Sequence, residues 1–313
     1  MSKIKTLVLG AAIVDKIIEI EKLPNSGDDI CAGSENIAIG GCAYNVANIL
    51  KNFEVGHDLV VPVGSGIYGS AIERDLEINN YKLFIKDQES DNGYCLCLVE
   101  KSGERTFITI KGTECYFKKE WLKSLNTNEY KNIYISGYEL EGKSGEVICD
   151  FLEDNRHLNF YFAPGPRISY LDESILERIY DLYPIIHLND KEALEYTGLE
   201  NIEEAIFEIY NKNNNVVFIT LGDKGVLYLN PIIAKDKIKD SIKLIKGNKV
   251  NIVDTIGAGD SHIASIIASK SLGYSYEESC KIANNVASKV VSIKGPKIDK
   301  NIFDKEEYLK CKM

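Results

Sequence analysis

The chain has 313 residues, 44% of them apolar, and its 47 acidic and 37 basic side chains leave a formal net charge of -10. That length permits one large core, or a core with a smaller appendage, without disulfide support. The acidic balance argues against nucleic acid and anionic membrane surfaces as partners, and no run of about 18 apolar residues offers a membrane span.

Taken in chain order, "TLVLGAAIV" reads as a first strand, because Asp15 and Lys16 interrupt the apolar run and no cleavage-like site follows it. Residues 16–41, "KIIEIEKLPNSGDDICAGSENIAIGG", read as strand, turn and strand. "YNVANILKNF" has helical period, "HDLVVPVG" is strand-like, and "GYCLCLVEKSGERTFITIKG" (93–112) is a hairpin around "KSGE". Strand and helix then alternate: "NIYISG", "SGEVICDFLEDN", "LNFYFAP", "PIIHLN", "KEALEYTG", "IEEAIFEIYNKN" and "VVFITLG". "KVNIVD" is strand-like, and two helices follow, in "SHIASIIASKSLG" and "YEESCKIANNVASKVVSIKG".

This alternation predicts an α/β fold, a doubly wound and mostly parallel sheet flanked by helices. The segments 16–41 and 93–112 lack following helices and are expected to form a small β-sheet lid on a single domain spanning 1–313. Eight cysteines (Cys31, Cys42, Cys95, Cys97, Cys115, Cys149, Cys280 and Cys311) without a CxxC pair read as reduced, buried thiols of a cytoplasmic protein.

Chemistry concentrates where strands turn into helices. In "DTIGAGDSHIASIIASKSLG" the helical pattern begins near Ser261, with Ile263, Ile266 and Ile267 on one side and Gly273 as a stop signal. Gly257, Ala258 and Gly259 expose backbone N–H groups at the positive end of that helix, and Asp260 follows. By themselves these residues fit a helix cap as well as an anion cradle with a proton-accepting carboxylate. The dipole is expected to keep Asp260 ionised near neutral pH.

Gly40, Gly41 and Asn45 end a strand and open a helix, where a hydroxylated ligand could approach the main chain. Asn189 and Glu192, three apart at another helix entry, could face one site and hold hydrated magnesium or a phosphate through water. "TLGDKG" places Thr220, Gly222 and Gly225 in a further tight turn. His262 reads as satisfying a local hydrogen bond.

In their order and spacing, "VDKIIEIEKLPNSGDD", "GGCAYNVA", "GERTFITI", "NDKE", "TLGDKG" and "DTIGAGD" resemble the ribokinase-like (PfkB) family of carbohydrate and nucleoside kinases. The resemblance implies an α/β sandwich with a β-sheet lid, and a catalytic base in Asp260 beside an anion hole of Gly257, Ala258 and Gly259. It assigns Asp15, Gly40, Gly41, Asn45 and, more weakly, Glu139 to sugar hydroxyls. Asn189 and Glu192 match a magnesium- and phosphate-positioning element; Thr220, Gly222, Gly225 and Asn284 match nucleotide positions. Asp254 and the Ile256 carbonyl would be ligands of a potassium ion. Departures fall at Glu54, Ala163 (which leaves Arg167 without its usual partner), His262 and Ser265.

The function so implied is a magnesium-requiring kinase carrying the γ-phosphate of ATP to a hydroxymethyl group of a small sugar, as a homodimer paired through the lid. One alternative is a nucleoside kinase, for which Tyr44, Tyr94 and Phe107 could supply an aromatic shelf. Another is a sugar-binding regulator without catalysis. A dinucleotide oxidoreductase is disfavoured, since "VLGAAIVD" lacks the Gly-rich first turn. Arg105 and Phe107, alternating on one strand, could face the ligand or a second subunit.

Overall fold

The computed structural model describes residues 4–231, 241–295 and 297–310. β1 (Lys5–Leu9) leads directly into β2 (Ile13–Ile20) and β3 (Ser34–Gly40), and α1 (Cys42–Asn52) returns the chain to β4 (Gly56–Val60). A short pair, β5 (Pro62–Val63) and β6 (Ile85–Lys86), brackets α2 (Ile67–Ile78). β7 (Tyr94–Glu100) and β8 (Arg105–Ile110) form the expected hairpin, and α3 (Lys119–Lys123) follows. The alternating body comprises β9 (Asn132–Ser136), α4 (Lys143–Asp154), β10 (Asn159–Ala163), α5 (Glu173–Tyr180), β11 (Ile185–Asn189), α6 (Asp190–Thr197), α7 (Ile202–Asn213) and β12 (Val217–Thr220). β13 (Gly225–Leu229), β14 (Ile242–Lys246), α8 (Ala258–Ser271), α9 (Tyr276–Val291) and α10 (Lys305–Leu309) complete the described chain.

Eight strands form the central sheet in the order β14-β13-β12-β11-β10-β9-β1-β4. From β4 to β12 the pairs are parallel, so the carboxyl ends of β1, β9, β11 and β12 share one edge. β13 and β14 extend the sheet antiparallel, an addition the strand-helix alternation did not reveal. The "KVNIVD" segment corrects the reading in the other direction: it is coil, because the sheet ends at β14 and the Val253 and Asp254 amides bond to Val291 O instead.

Helices cover both faces of the sheet, which is why β9 is buried at all five positions. Tyr134 packs into the layer containing α1, α8 and α9, while Ile133 and Ile135 face the layer of α4, α5 and α7. α8 begins three residues earlier than its periodicity suggested and is buried all round from Ser261 to Ser269. Its serines make this possible: Ser265 Oγ donates to Ser261 O (2.7 Å) and Ser269 Oγ to Ser265 O (2.6 Å), leaving a narrow, internally satisfied helix. The departure at Glu54 is a left-handed residue, φ 58°, that ends the turn after α1. Arg167 finds another partner, Glu141, and lies over the Tyr170 ring.

A second, four-stranded sheet has the order β3-β2-β7-β8 and contains the strands of both segments that broke the alternation. β2 pairs parallel with β7 and antiparallel with β3, and β8 closes the outer edge. Register places Asp15, Cys95, Cys97, Phe107 and Arg105 on one face and Lys16, Ile37, Tyr94, Leu96, Ile108 and Ile110 on the other.

Candidate active site

The turn into α8 is held open by its residue types. Gly257 caps the helix at φ 74°, in the left-handed region, and no side chain caps the helix. The N–H groups of a first helical turn have no intrahelical acceptor, and a Cβ built on Gly259 would meet nothing within 4 Å. Gly257 and Gly259 thus present donors to open space, while the Ala258 N–H also donates to Thr255 O at 3.3 Å. Asp260, in that first turn, accepts from Asn45 Nδ2 of α1 at 2.8 Å and is also hydrogen-bonded to the Cys42 thiol. Burial nevertheless outweighs those bonds and raises its carboxyl from 3.8 to about 6. Desolvation sets the direction of the shift, and the ionised form still predominates at pH 7, in keeping with the expectation that Asp260 is ionised near neutral pH.

Around Asp260 the structure gathers further acids. Asp15 on β2 is raised to about 6 by burial, which Lys297 opposes. Glu139 follows β9 in a short helical turn, accepts from Ser136 Oγ (2.5 Å), and is raised to about 7, again by burial first. Asp15, Glu139 and Asp260 all act electrostatically on Cys42, which places the four groups in one neighbourhood.

The glycines here have steric reasons. A Cβ on Gly40 would lie 2.1 Å from Asp15 Oδ2, and one on Gly41 (φ 104°) 2.6 Å from Ala11 O. Asn45 Oδ1 and the Tyr134 hydroxyl are buried without a hydrogen-bond partner, so the polar network of this region is incomplete. Cys42, read as a core thiol, is a half-buried neighbour of Asp260, and Cys31 is exposed, a second departure from the uniform reading.

A cleft of about 460 Å³ runs from the β12–β13 turn to the start of α8. Thr220, Gly222 and Gly225 line one end, Ala258 and Gly259 the other, and Asn284 and His262 lie between. Gly222 (φ 61°) borders open space, whereas Gly225 is also required by β14, since a Cβ there would be 2.0 Å from Ile245 O. The apolar residues of "KVNIVD" gain an explanation: Val250 and Ile252, the latter 67% exposed, form a wall of this cleft.

Asn284 has its amide engaged within the protein. Nδ2 donates to Ile245 O and Lys246 O, both at 3.1 Å, and Oδ1 pairs with His262 Nε2 at 3.3 Å. His262 Nδ1 in turn lies 2.9 Å from His187 Nε2 on β11. Burial depresses both imidazoles, His262 to about 4 and His187 well below its usual range, so both are neutral. With Asn284 Oδ1 as acceptor, His262 carries its proton on Nε2 and accepts from His187 at Nδ1. His262 is therefore part of a buried strut joining β11, α8, α9 and β14. His187 was not singled out in the sequence, and nothing local marks it.

The residues read as metal-positioning have partners within the chain. Asn189 and Glu192 form a reciprocal capping box on α6: Asn189 Oδ1 accepts from Glu192 N (2.8 Å), and Glu192 Oε2 accepts from Asn189 N (2.9 Å). Asn189 is thereby committed to the helix, and Glu192 keeps one oxygen outside the box; burial raises its carboxyl, with Asp260 contributing. Asp254 Oδ1 accepts from Ile256 N (2.8 Å) and meets Arg105 Nη1 at 2.9 Å, while Oδ2 accepts from Gly295 N (2.9 Å). A guanidinium thus stands on the carboxylate proposed for potassium. Of the three aromatic shelf residues, Tyr44 is buried against Asp75 and Tyr81, and Tyr94 points away from Asp15; Phe107 alone shares the Asp15 face.

A mostly parallel sheet with a cleft and an open helix N-terminus at its carboxyl edge, crossed by a small sheet that brings Asp15 to the same point, defines a ribokinase-like phosphotransferase. The model of the pfkB family carbohydrate kinases matches residues 3–301, and the chain belongs to that family as an ATP-dependent carbohydrate kinase.

It is 31% identical over 294 residues to the sugar kinase YegV of Escherichia coli K12, covering 92% of this chain and 89% of that one. It is 28% identical to a nucleoside kinase of Methanocaldococcus jannaschii, over 96% and 95% of the two chains. Among solved structures, Thermotoga maritima ribokinase superposes with a TM-score of 0.79 at 22% identity, covering 98% of this chain and 99% of the other. Arabidopsis thaliana ribokinase complexed with ribose and ATP gives 0.77 at 19%, covering 99% of each.

Proposed function

We propose that this chain transfers the γ-phosphoryl group of ATP to a hydroxymethyl group of a small, uncharged sugar. The observation that carries the reading is Asp260: its carboxylate, oriented by Asn45, stands between the 460 Å³ cleft and the Asp15–Glu139 neighbourhood, at an uncapped helix N-terminus.

ATP lies in the cleft with its base against Val250, Ile252, Ala287 and Val291 and its phosphates toward Ala258 and Gly259. The sugar is held by Asp15, the Gly40–Gly41 main chain, Asn45 and Glu139. Asp260 accepts the hydroxyl proton as that oxygen bonds to Pγ and the bond from Pγ to the bridging oxygen breaks, releasing ADP. The N–H groups of Gly257, Ala258 and Gly259 stabilise the charge on the moving phosphoryl group.

Magnesium would be held chiefly by the nucleotide phosphates, with Glu192 reaching it through water, and would neutralise charge on the β- and γ-oxygens. The small sheet, which carries Asp15, excludes water from the acceptor. A site with three acids opposed chiefly by Lys297 disfavours phosphorylated or carboxylated acceptors.

The outer face of that sheet leaves Ile37 (63%), Ile108 and Ile110 exposed, which supports a homodimer paired there. The seven described cysteines are free, which supports a cytoplasmic protein. Among the described residues no helix is long and apolar enough to cross a membrane.

Release of ADP over a panel of sugars and nucleosides, with Asp260→Asn as control, tests the reading. Activity on a pentose or hexose but not on nucleosides is expected. Sugar binding with no ADP release would favour the regulator, and exclusive use of nucleosides the related kinase; the M. jannaschii relative keeps that second reading relevant.

A further inference from the structure

Asp254 heads the turn that ends in the anion cradle, six positions before Asp260. Its carboxylate is 5% exposed and holds that turn by two main-chain bonds, from Ile256 N and Gly295 N. A buried carboxylate that accepts only neutral donors stays costly unless a cation completes it. The cation here belongs to the chain itself. Arg105 Nη1 lies 2.9 Å from Asp254 Oδ1, with the arginine side chain only 19% exposed. Arg105 starts β8, opposite Val99 in the small sheet, so the guanidinium arrives from the other sheet. A second, more exposed ion pair follows the same route, between Glu19 of β2 and Lys294, next to Gly295.

We propose that Arg105 acts as a tethered substitute for a monovalent cation at Asp254, so that this kinase needs no potassium. An added ion does not fit while Arg105 is in place: a potassium ion at Oδ1 would stand against a guanidinium 2.9 Å from that oxygen, in a site shielded from water. The consequence is that the turn before the cradle is ordered by docking of the small sheet, not by the salt in the medium. The proposal rests on the kinase reading only where activity is measured.

The test uses the full chain in potassium, sodium or tetramethylammonium chloride at equal ionic strength. Thermal melting without substrates should be the same for the wild type in potassium and tetramethylammonium, and so should the rate of ADP release with an accepted sugar. Arg105→Gln should melt lower in tetramethylammonium, recover with potassium specifically, and show roughly a tenfold gain in kcat/KM on adding potassium. A potassium-specific rise in melting temperature or activity of the wild type overturns the proposal, as does indifference of Arg105→Gln to potassium. If that variant does not fold, Arg105→Met takes its place and the wild-type comparison decides by itself. A chain active on no acceptor would sink the kinase reading while the melting comparison still judged this one.

Discussion

Asn45 Nδ2 on α1 donates to Asp260 Oδ2 on α8 over 2.8 Å, joining two helix N-termini 215 positions apart in sequence. The bond orients the carboxylate toward the junction of the cleft and the acidic neighbourhood. It also lowers the Asp260 pKa against the burial that raises it.

Asp260→Asn keeps the side-chain shape and removes the proton acceptor. Turnover is expected to fall by about 10²–10⁴-fold, while calorimetry still detects nucleotide binding. Near-normal turnover would dismiss Asp260 as the base.

The pH profile should show the burial of that carboxylate. With Asp260 at about 6, kcat should decline below pH 6 as the base takes a proton, instead of holding to the ordinary aspartate range near 3.8. Asn45→Ala removes a bond that favours the ionised form, so its acid limb should move to higher pH. A wild-type limb near pH 4 would show the carboxylate to be better solvated than its surroundings indicate.

Glu139 makes a stability prediction with a definite sign. Its folded-state value of about 7 lies above the ordinary 4.5, so the folded protein holds the extra proton and its contribution is fully present below pH 4.5. That contribution is lost as pH rises through 7, amounting to on the order of 3 kcal/mol if the unfolded group is unperturbed. Glu139→Gln, which can still accept from Ser136, should therefore gain melting temperature over the wild type at pH 8 and little at pH 4.5. An equal effect at both pH values would contradict the assignment.

His262→Ala cuts the strut at its centre. It leaves His187 and Asn284 Oδ1 without their partner and should cost about 2 kcal/mol or more in urea unfolding. Because Asn284 lines the cleft, KM for ATP should rise more than kcat falls. A change in kcat alone would instead tie His262 to the chemistry.

Much of the fold follows from local pattern. Apolar runs at strand length, helical periods between them, and glycines at the turns determined the alternating body and the two segments set apart from it, whereas the same pattern places the start of α8 three residues late. These are short-range effects of backbone freedom and one-sided burial, and they act wherever the chain goes. Even so, "KVNIVD" looks like a strand and is a cleft wall, because apolar alternation does not distinguish residues that face a core from residues that face a ligand site.

Tertiary structure decided what the turns surround. Asn45 meets Asp260, His187 meets His262, and Arg105 meets Asp254 only after β11, α8 and the small sheet are in place. Burial then raises Asp260, Asp15 and Glu139 together, through desolvation by residues distant in sequence. The sequence by itself determined which side chains could do chemistry. The packing of two sheets determined their neighbours and charge states, since these depend on distance and solvent access, which sequence spacing does not contain.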